Sequence, residues 1–336
     1  MKQLAILVPD EQTTMSTVAC IVGAYQVFTE ANACRTRQGK PALFTIALVG
    51  AKKNAVLQQA FLSIQATASA EELAHTDLVI IPATLVRSYD KATTNNQLLI
   101  DWLKKQYKQG AELASMCAGG FMLASTGILQ GKTCSTHWAL SEQFRELHPG
   151  VQLQTDKLIT DECGIYTNGG AYSFLHLLLY LVEKFYDRPT AIHCAKYFQV
   201  DLNRHQQAEF AIFNGHKNHQ DEMVLQAQQF IETNFPEKIS VEKLAQDLAV
   251  GRRNFDRRFT KATSLSPLDY LQRVRTEAAK KLFETTRKTV AEVMYEVGYS
   301  DAKAFREVFS RVTGLSPIAY KSKYNKEGSV AMASFQ

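Results

Sequence analysis

The chain has 336 residues, 46% hydrophobic and 21% charged, with a formal net charge of +5. That length calls for two domains, each able to build a core, and the balance excludes disordered, collagenous and disulfide-scaffold proteins. The longest apolar run, Ala171–Val182, falls short of the roughly twenty residues that span a bilayer, so no membrane partner is expected.

Met1-Lys2-Gln3 leads straight into the strand-like Leu4–Val8 without an export signal, which points to a cytoplasmic protein whose six scattered cysteines are free thiols. Residues 1 to about 190 then alternate strand and helix, the pattern of an α/β, flavodoxin-like doubly wound sheet. A helix is expected over 16–34, strands over 42–49, 77–82 and 111–116, and a helix over 95–109 with Leu98, Leu99, Trp102, Leu103 and Tyr107 on its apolar side. A short strand near 164–168 precedes a long apolar helix to about residue 186. The helix over 190–198 either closes the domain or contributes to a homodimer face. Residues 201–220 are polar, lack apolar periodicity and read as a linker. Their His205, His216 and His219 fit no metal spacing, and neither a metal nor a cofactor is expected. The reading is therefore a first domain over 1–200, a linker over 201–220, an all-α domain over 221–325 and a disordered tail over 326–336.

One corner of the first domain carries chemistry. Ser115-Met116-Cys117-Ala118-Gly119-Gly120 turns a strand into a helix with a thiol at the bend and small residues around it, like a nucleophile elbow. A thiol at a helix N-terminus is expected to be favoured as thiolate. The run Cys117-x-Gly119-x-x-x-Leu123-Ala124, Gly127-Ile128-Leu129 and Thr136-His137-Trp138 resembles the ThiJ/PfpI-like superfamily, in the branch fused to AraC-type domains. Against that family, Ala118 stands where protease-like members carry His, and Cys20 where others place an acid. Ala83-Thr84 replaces the Gly-Gly often found after the third strand. Three roles for Cys117 stay open: a nucleophile with His137 as partner, a small residue kept at a tight turn, or part of a ligand pocket. The pocket reading comprises Cys20, Pro82, Ala83, Cys117, Ala118 and His137, beyond the strand C-termini where open sheets bind ligands.

The second domain writes one unit twice. Phe255, Phe259, Thr263, Leu265-Ser266-Pro267 and Tyr270 recur as Phe305, Phe309, Thr313, Leu315-Ser316-Pro317 and Tyr320, each fifty positions on; Leu244 and Leu248 recur as Val293 and Val297, forty-nine on. Each copy reads as helix, turn, helix, with one residue added in the second copy's turn. A helix from Pro267 joins them, with Leu271, Val274, Ala278 and Leu282 expected inward. The second helix of copy one exposes Arg252, Arg253, Asp256 and Arg257; that of copy two exposes Ala302, Lys303, Arg306 and Glu307. Such faces are what a major groove accepts. Arg273, Arg275, Lys280, Lys281, Arg311, Lys321 and Lys323 are expected at phosphates. From Asp221 onward there are 19 Lys and Arg against 15 Asp and Glu, compared with 19 against 18 before it, so the basic excess lies here.

The pattern Leu244-Ala245-x-x-Leu248 to Phe259, with Val297-Gly298-Tyr299 to Tyr320, resembles the DNA-binding domain of AraC/XylS regulators. That resemblance implies double-stranded DNA as partner, with two recognition helices in adjacent major grooves, and contact with RNA polymerase at a promoter. Glu307 departs from it, standing where the family usually has a basic residue. The expected protein is a transcriptional regulator sensing an unidentified small molecule through its first domain, with residues 221–325 binding DNA alone. The rival is a ThiJ/PfpI-like cysteine enzyme carrying a DNA tether.

Overall fold

A computed structural model describes residues 1–10, 13–84, 94–202, 204 and 206–325. The expected tail over 326–336 and His205 lie outside them. The chain divides into two units, one ending at Gln207 and the next beginning at Ala208.

The first unit is built on a seven-stranded sheet. Its strands are β1 (Lys2–Leu7), β2 (Phe44–Gly50), β5 (Ala68–Ser69), β6 (Leu78–Ile81), β7 (Glu112–Met116), β10 (Ile159–Glu162) and β11 (Ile165–Asn168). Their order is β10-β11-β7-β6-β1-β2-β5, all parallel except the β10–β11 hairpin. Order reverses beside β1, the topological switch of a doubly wound sheet. The central strands are apolar throughout because both faces are covered: every residue of Leu78–Ile81 is wholly buried. Helices α1 (Met15–Arg37), α5 (Phe174–Phe185) and α6 (Arg188–Phe198) pack together, and α2 (Thr94–Lys108) packs against α3 (Gly119–Ser125). Shorter pieces complete the unit: a hairpin of β3 (Val56–Gln59) and β4 (Leu62–Gln65), the paired β8 (Thr133–Cys134) and β9 (Gln152–Leu153), and α4 (Ser141–Leu147). The hairpin and β5 were not foreseen. Their strands run two to four residues, too short for periodicity to register.

The second unit is helical: α7 (Glu222–Asn234), α8 (Val241–Asp247), α9 (Arg252–Thr263), α10 (Pro267–Thr285), α11 (Val290–Glu296), α12 (Ala302–Thr313) and α13 (Pro317–Tyr324). The sequence repeat becomes a structural one. Four residues separate α8 from α9 and five separate α11 from α12, which is where the extra residue falls. The Phe255 and Phe259 rings lie 5.6 Å apart at 52°, and those of Phe305 and Phe309 5.8 Å apart at 50°. Tyr270 meets Phe259 edge-on at 5.3 Å, as Tyr320 meets Phe309 at 5.5 Å. The Thr263 and Thr313 hydroxyls each donate to the carbonyl four residues back at 2.8 Å, ending the helix alike. Gly298 has φ +85 and sits so near the Pro236 carbonyl that no side chain fits there.

Each copy encloses its own core. One holds Val224, Ala227, Ile231, Leu244, Phe255, Phe259 and Tyr270; the other holds Ala279, Phe283, Val293, Met294, Phe305, Phe309 and Tyr320. Helix α10 serves both, which corrects the stripe expected for it. Leu271 is buried, but Val274, Ala278 and Leu282 are only partly so, and Ala279 and Phe283 fill the second core. A helix facing a different core at each end cannot keep one stripe along its length.

The boundary at 207/208 falls inside the stretch expected as linker. Residues 208–216 form a strap fastened to the helical unit. Lys280 Nζ donates to the Ala211 carbonyl at 2.7 Å, and Tyr270 Oη donates to that of Gly215 at 3.0 Å. Gln228 Nε2 donates to the carbonyls of Gly215 (2.5 Å) and His216 (3.1 Å). The Phe213 ring stands edge-on to Tyr270 at 5.1 Å. A strap made of one 3-10 turn (Ala208–Phe210) and irregular chain, held through its carbonyls, needs no apolar period, so its sequence reads as unstructured.

Candidate functional site

In the first unit the bend after β7 is a true elbow. Cys117 has φ +53, a left-handed conformation unusual for a residue with a side chain. The corner is held from several sides. The Cys117 N–H donates to the Asn168 carbonyl at 3.1 Å, and the Thr136 hydroxyl donates to the Cys117 carbonyl at 3.0 Å. A Cβ on Gly119 would lie 2.6 Å from the carbonyl oxygens of Ile81 and Pro82, so the Gly-Gly lets α3 begin against the end of β6.

Cys20, on the buried face of α1, lies next to the Ala83 backbone and near Cys117. Thr17 Oγ1 donates to the Ala83 carbonyl at 2.6 Å. The structure therefore brings Cys20, Pro82, Ala83, Cys117 and Ala118 together, all buried. His137 is different. It is half-buried, its Nδ1 accepts from the Ala139 N–H at 3.1 Å, and burial lowers its pKa. Among the described residues no hydrogen bond joins it to Cys117. Residues 85–93, which follow Thr84, lie outside the described part of the chain.

The thiolate expected at this elbow is corrected. Burial pushes the Cys117 thiol up to about 11, against a smaller opposing effect of the Ala118 N–H, and it pushes Cys20 up to about 12. Cys117 is therefore held as a neutral thiol near pH 7. Desolvation outweighs whatever a seven-residue helix end supplies. All six cysteines are free thiols, and Cys163 is the exposed one. No group of three His, Cys, Asp or Glu side chains among the described residues is placed to share a metal ion, and no described helix is long and apolar enough to cross a membrane.

In the second unit the polar faces of α9 and α12 sort by what already holds each side chain. Arg252 is engaged within the protein: it pairs with Glu242, and its Nε donates to Asp256 Oδ2 at 2.8 Å. Arg253 is exposed, and exposed Arg257 donates to Asn254 Oδ1 at 2.8 Å. On α12, Ala302, Lys303, Arg306 and Glu307 are all exposed.

Several expected phosphate ligands are instead committed to the fold. Arg275 donates to the Phe235 and Glu237 carbonyls, both at 2.8 Å, under the Tyr299 ring. Lys280 is 4% exposed and paired with Glu277 at 2.9 Å. Lys321 donates to the Lys288 carbonyl at 2.6 Å, and Lys323 pairs with Glu209 at 2.7 Å. Arg311 is paired with Asp269 and Gln272. Arg258, one more cation of the α9 stretch, is committed as well. Its two nitrogens clasp Asp221, the N-cap of α7, at 2.6 and 2.9 Å. Nothing in charge spacing separates a cation facing solvent from one facing a carbonyl. Only the helix rotation does.

An elbow on a doubly wound sheet, followed by two congruent helix-turn-helix units, defines the class. The chain belongs to the DJ-1/PfpI family, whose model matches residues 17–184, half of the chain. A helix-turn-helix domain, of the AraC type that the motifs resemble, matches residues 244–323. Among its relatives, HTH-type transcriptional regulator GbdR of Pseudomonas aeruginosa is 26% identical over 219 residues, covering 65% of this chain and 59% of GbdR. HTH-type transcriptional regulator CdhR of the same organism is 23% identical over 266 residues, covering 78% of this chain and 77% of its own. This chain thus spans about three fifths of GbdR. A solved structure of a proposed transcriptional regulator from Vibrio parahaemolyticus shares the fold over 58% of this chain and 98% of its own, with a TM-score of 0.50 and 24% identity.

Proposed function

We propose that the protein is a sequence-specific DNA-binding transcriptional regulator whose first unit senses a small molecule. The repeated recognition unit carries this reading. Two helix-turn-helix copies with superimposable aromatic cores each turn an exposed, charged helix face to solvent. The relatives named as HTH-type transcriptional regulators support it. Double-stranded DNA is the partner. A second copy of the chain, RNA polymerase at the promoter and a cytoplasmic location belong to the same reading.

The sensing site is the buried cluster of Cys20, Pro82, Ala83, Cys117 and Ala118. Turnover is not part of the proposal, because the Cys117 thiol stays neutral and His137 is not bonded to it. A route from this cluster to the helices exists along the chain. The Gln207 side chain donates to the Thr136 carbonyl at 3.0 Å, and Thr136 in turn holds Cys117. The next residue, Ala208, begins the strap that binds the helical unit. A ligand that favours one arrangement of the elbow would act on these hydrogen bonds and, through the chain from Gln207 to Ala208, on the strap bonded to α10.

Replacing Cys117 by Phe tests this. In a thermal-shift screen of small metabolites, the wild-type melting point should rise with the effector, by about 2.7 kcal/mol of stability at a hundredfold excess over Kd. Cys117→Phe should lose that rise and keep its affinity for DNA. A variant with an undiminished rise rules the elbow out as the sensing site.

A further inference from the structure

The two recognition helices differ in one respect that their common fold conceals. In copy one the cation Arg252 is caged by Glu242 and Asp256. Copy two lacks all three members. Ala302 stands in place of Arg252, Arg306 in place of Asp256, and Ala291, forty-nine residues on, in place of Glu242. The basic Arg257 is matched by the acidic Glu307. The side chain of Glu307 is 67% exposed, and the cation nearest it, Lys303, lies 4.0 Å away, beyond hydrogen-bond reach, and is itself 85% exposed. Copy two therefore presents a carboxylate with open acceptor positions, between cations, at the place where copy one presents a guanidinium.

From this inversion we infer that Glu307 is a specificity-determining residue, reading a cytosine in the half-site of the second copy; the inference rests on the DNA-binding reading above. A carboxylate brought to a duplex is repelled by the phosphates on either side of the groove. That cost is recovered only at a base edge that donates. In the major groove two bases donate, cytosine through its 4-amino group and adenine through its 6-amino group, and the N7 acceptor beside the adenine amine repels a carboxylate, so cytosine is the one preferred. Guanine offers two acceptors there, and thymine an acceptor and a methyl group, so both disfavour Glu307. Lys303, one helical turn before it, is placed to reach an acceptor on the neighbouring pair or a phosphate, and Arg306 lies on the same exposed side. The half-sites of the two copies are consequently unlike. The first selects guanine through Arg253 and Arg257, and the second contains a position that selects cytosine. An asymmetric site fixes the direction in which the chain lies along a promoter.

The test is selection from a randomised duplex library with the full-length chain, for the wild type, Glu307→Gln and Glu307→Ala. The wild type should enrich cytosine at one position of the second half-site, about tenfold over the other bases. Glu307→Gln should move that preference to adenine, whose edge pairs with a side-chain amide, and leave the first half-site untouched. Glu307→Ala should flatten the position and raise affinity for unrelated DNA, since a repelled charge is gone. Identical base frequencies in all three proteins, or adenine, guanine or thymine in the wild type at the position that responds to residue 307, overturn the assignment of Glu307 alone. A wild type that enriches no sequence overturns the DNA-binding reading together with it. Residue 307 is on the surface, so all three proteins fold.

Discussion

Arg253→Ala/Arg257→Ala should lose its site-specific complex, with affinity for the chosen site falling by at least about thirtyfold. Each guanidinium that meets a guanine edge is worth about 1–3 kcal/mol of discrimination. Lower values of that range, taken together, already give the thirtyfold. Both side chains are available without breaking an ion pair among the described residues. Arg253 is exposed, and the contact of Arg257 to Asn254 is an exposed hydrogen bond that a base readily replaces. Arg252 serves as the control. Its partners Glu242 and Asp256 neutralise it within the protein, so Arg252→Ala should change site affinity by less than the pair does. Fluorescence anisotropy on the selected duplex and on a scrambled one measures both. Equal losses for Arg252→Ala and the pair would mean that the cage opens on DNA and that Arg252 reads bases.

The second large effect concerns where the DNA-binding unit begins. Residues 208–325 should fold as a stable fragment, whereas 221–325 should be less stable by about 2 kcal/mol or more. The longer fragment keeps the strap. The shorter one takes from Gln228 the carbonyls of Gly215 and His216, from Lys280 the Ala211 carbonyl, and from Tyr270 the Phe213 ring. Gln228 and Lys280 are among the most buried polar side chains of the unit, at 0% and 4% exposure, and uncovering them strands groups arranged for internal partners. For a fragment of about a hundred residues this corresponds to a melting point lower by roughly 10 °C or more. Calorimetry of the two fragments decides it. Coincident melting points would show that the strap contributes nothing, and the expectation of a free linker would stand.

The helical unit was legible in the sequence to a degree the first unit was not. Its repeat placed Phe255, Phe259 and Tyr270 against Phe305, Phe309 and Tyr320, and each pair proves to be the same element of a core. Helix periodicity is a strong signal when two copies report it independently. Strands buried on both faces, such as Leu4–Leu7 and Leu78–Ile81, showed as apolar runs, but their order in the sheet follows from long-range pairing that no local pattern contains. The elbow at Cys117 was visible because small residues crowd a sharp turn. Its electrostatics were not. The motif suggested a thiolate, and burial by β6, α1 and α3 made a neutral thiol. Charge runs misled in the same way. Arg252, Arg258 and Lys280 look alike in the sequence to Arg253 and Lys303, yet the first three are spent on Asp256, Asp221 and Glu277. What a charged side chain does depends on whether folding brings it a partner.

The central claim is that this chain reads a DNA sequence. The most direct measurement is the affinity of the full-length protein for the DNA upstream of its own gene and for a scrambled duplex of equal length, across a salt series. At about 150 mM salt a regulator should prefer its site by a factor of roughly a thousand or more, and the preference should persist as salt weakens both complexes. Two affinities that fall together and stay equal at every salt concentration would mean that the basic faces of α9 and α12 are only a tether, and would contradict the account.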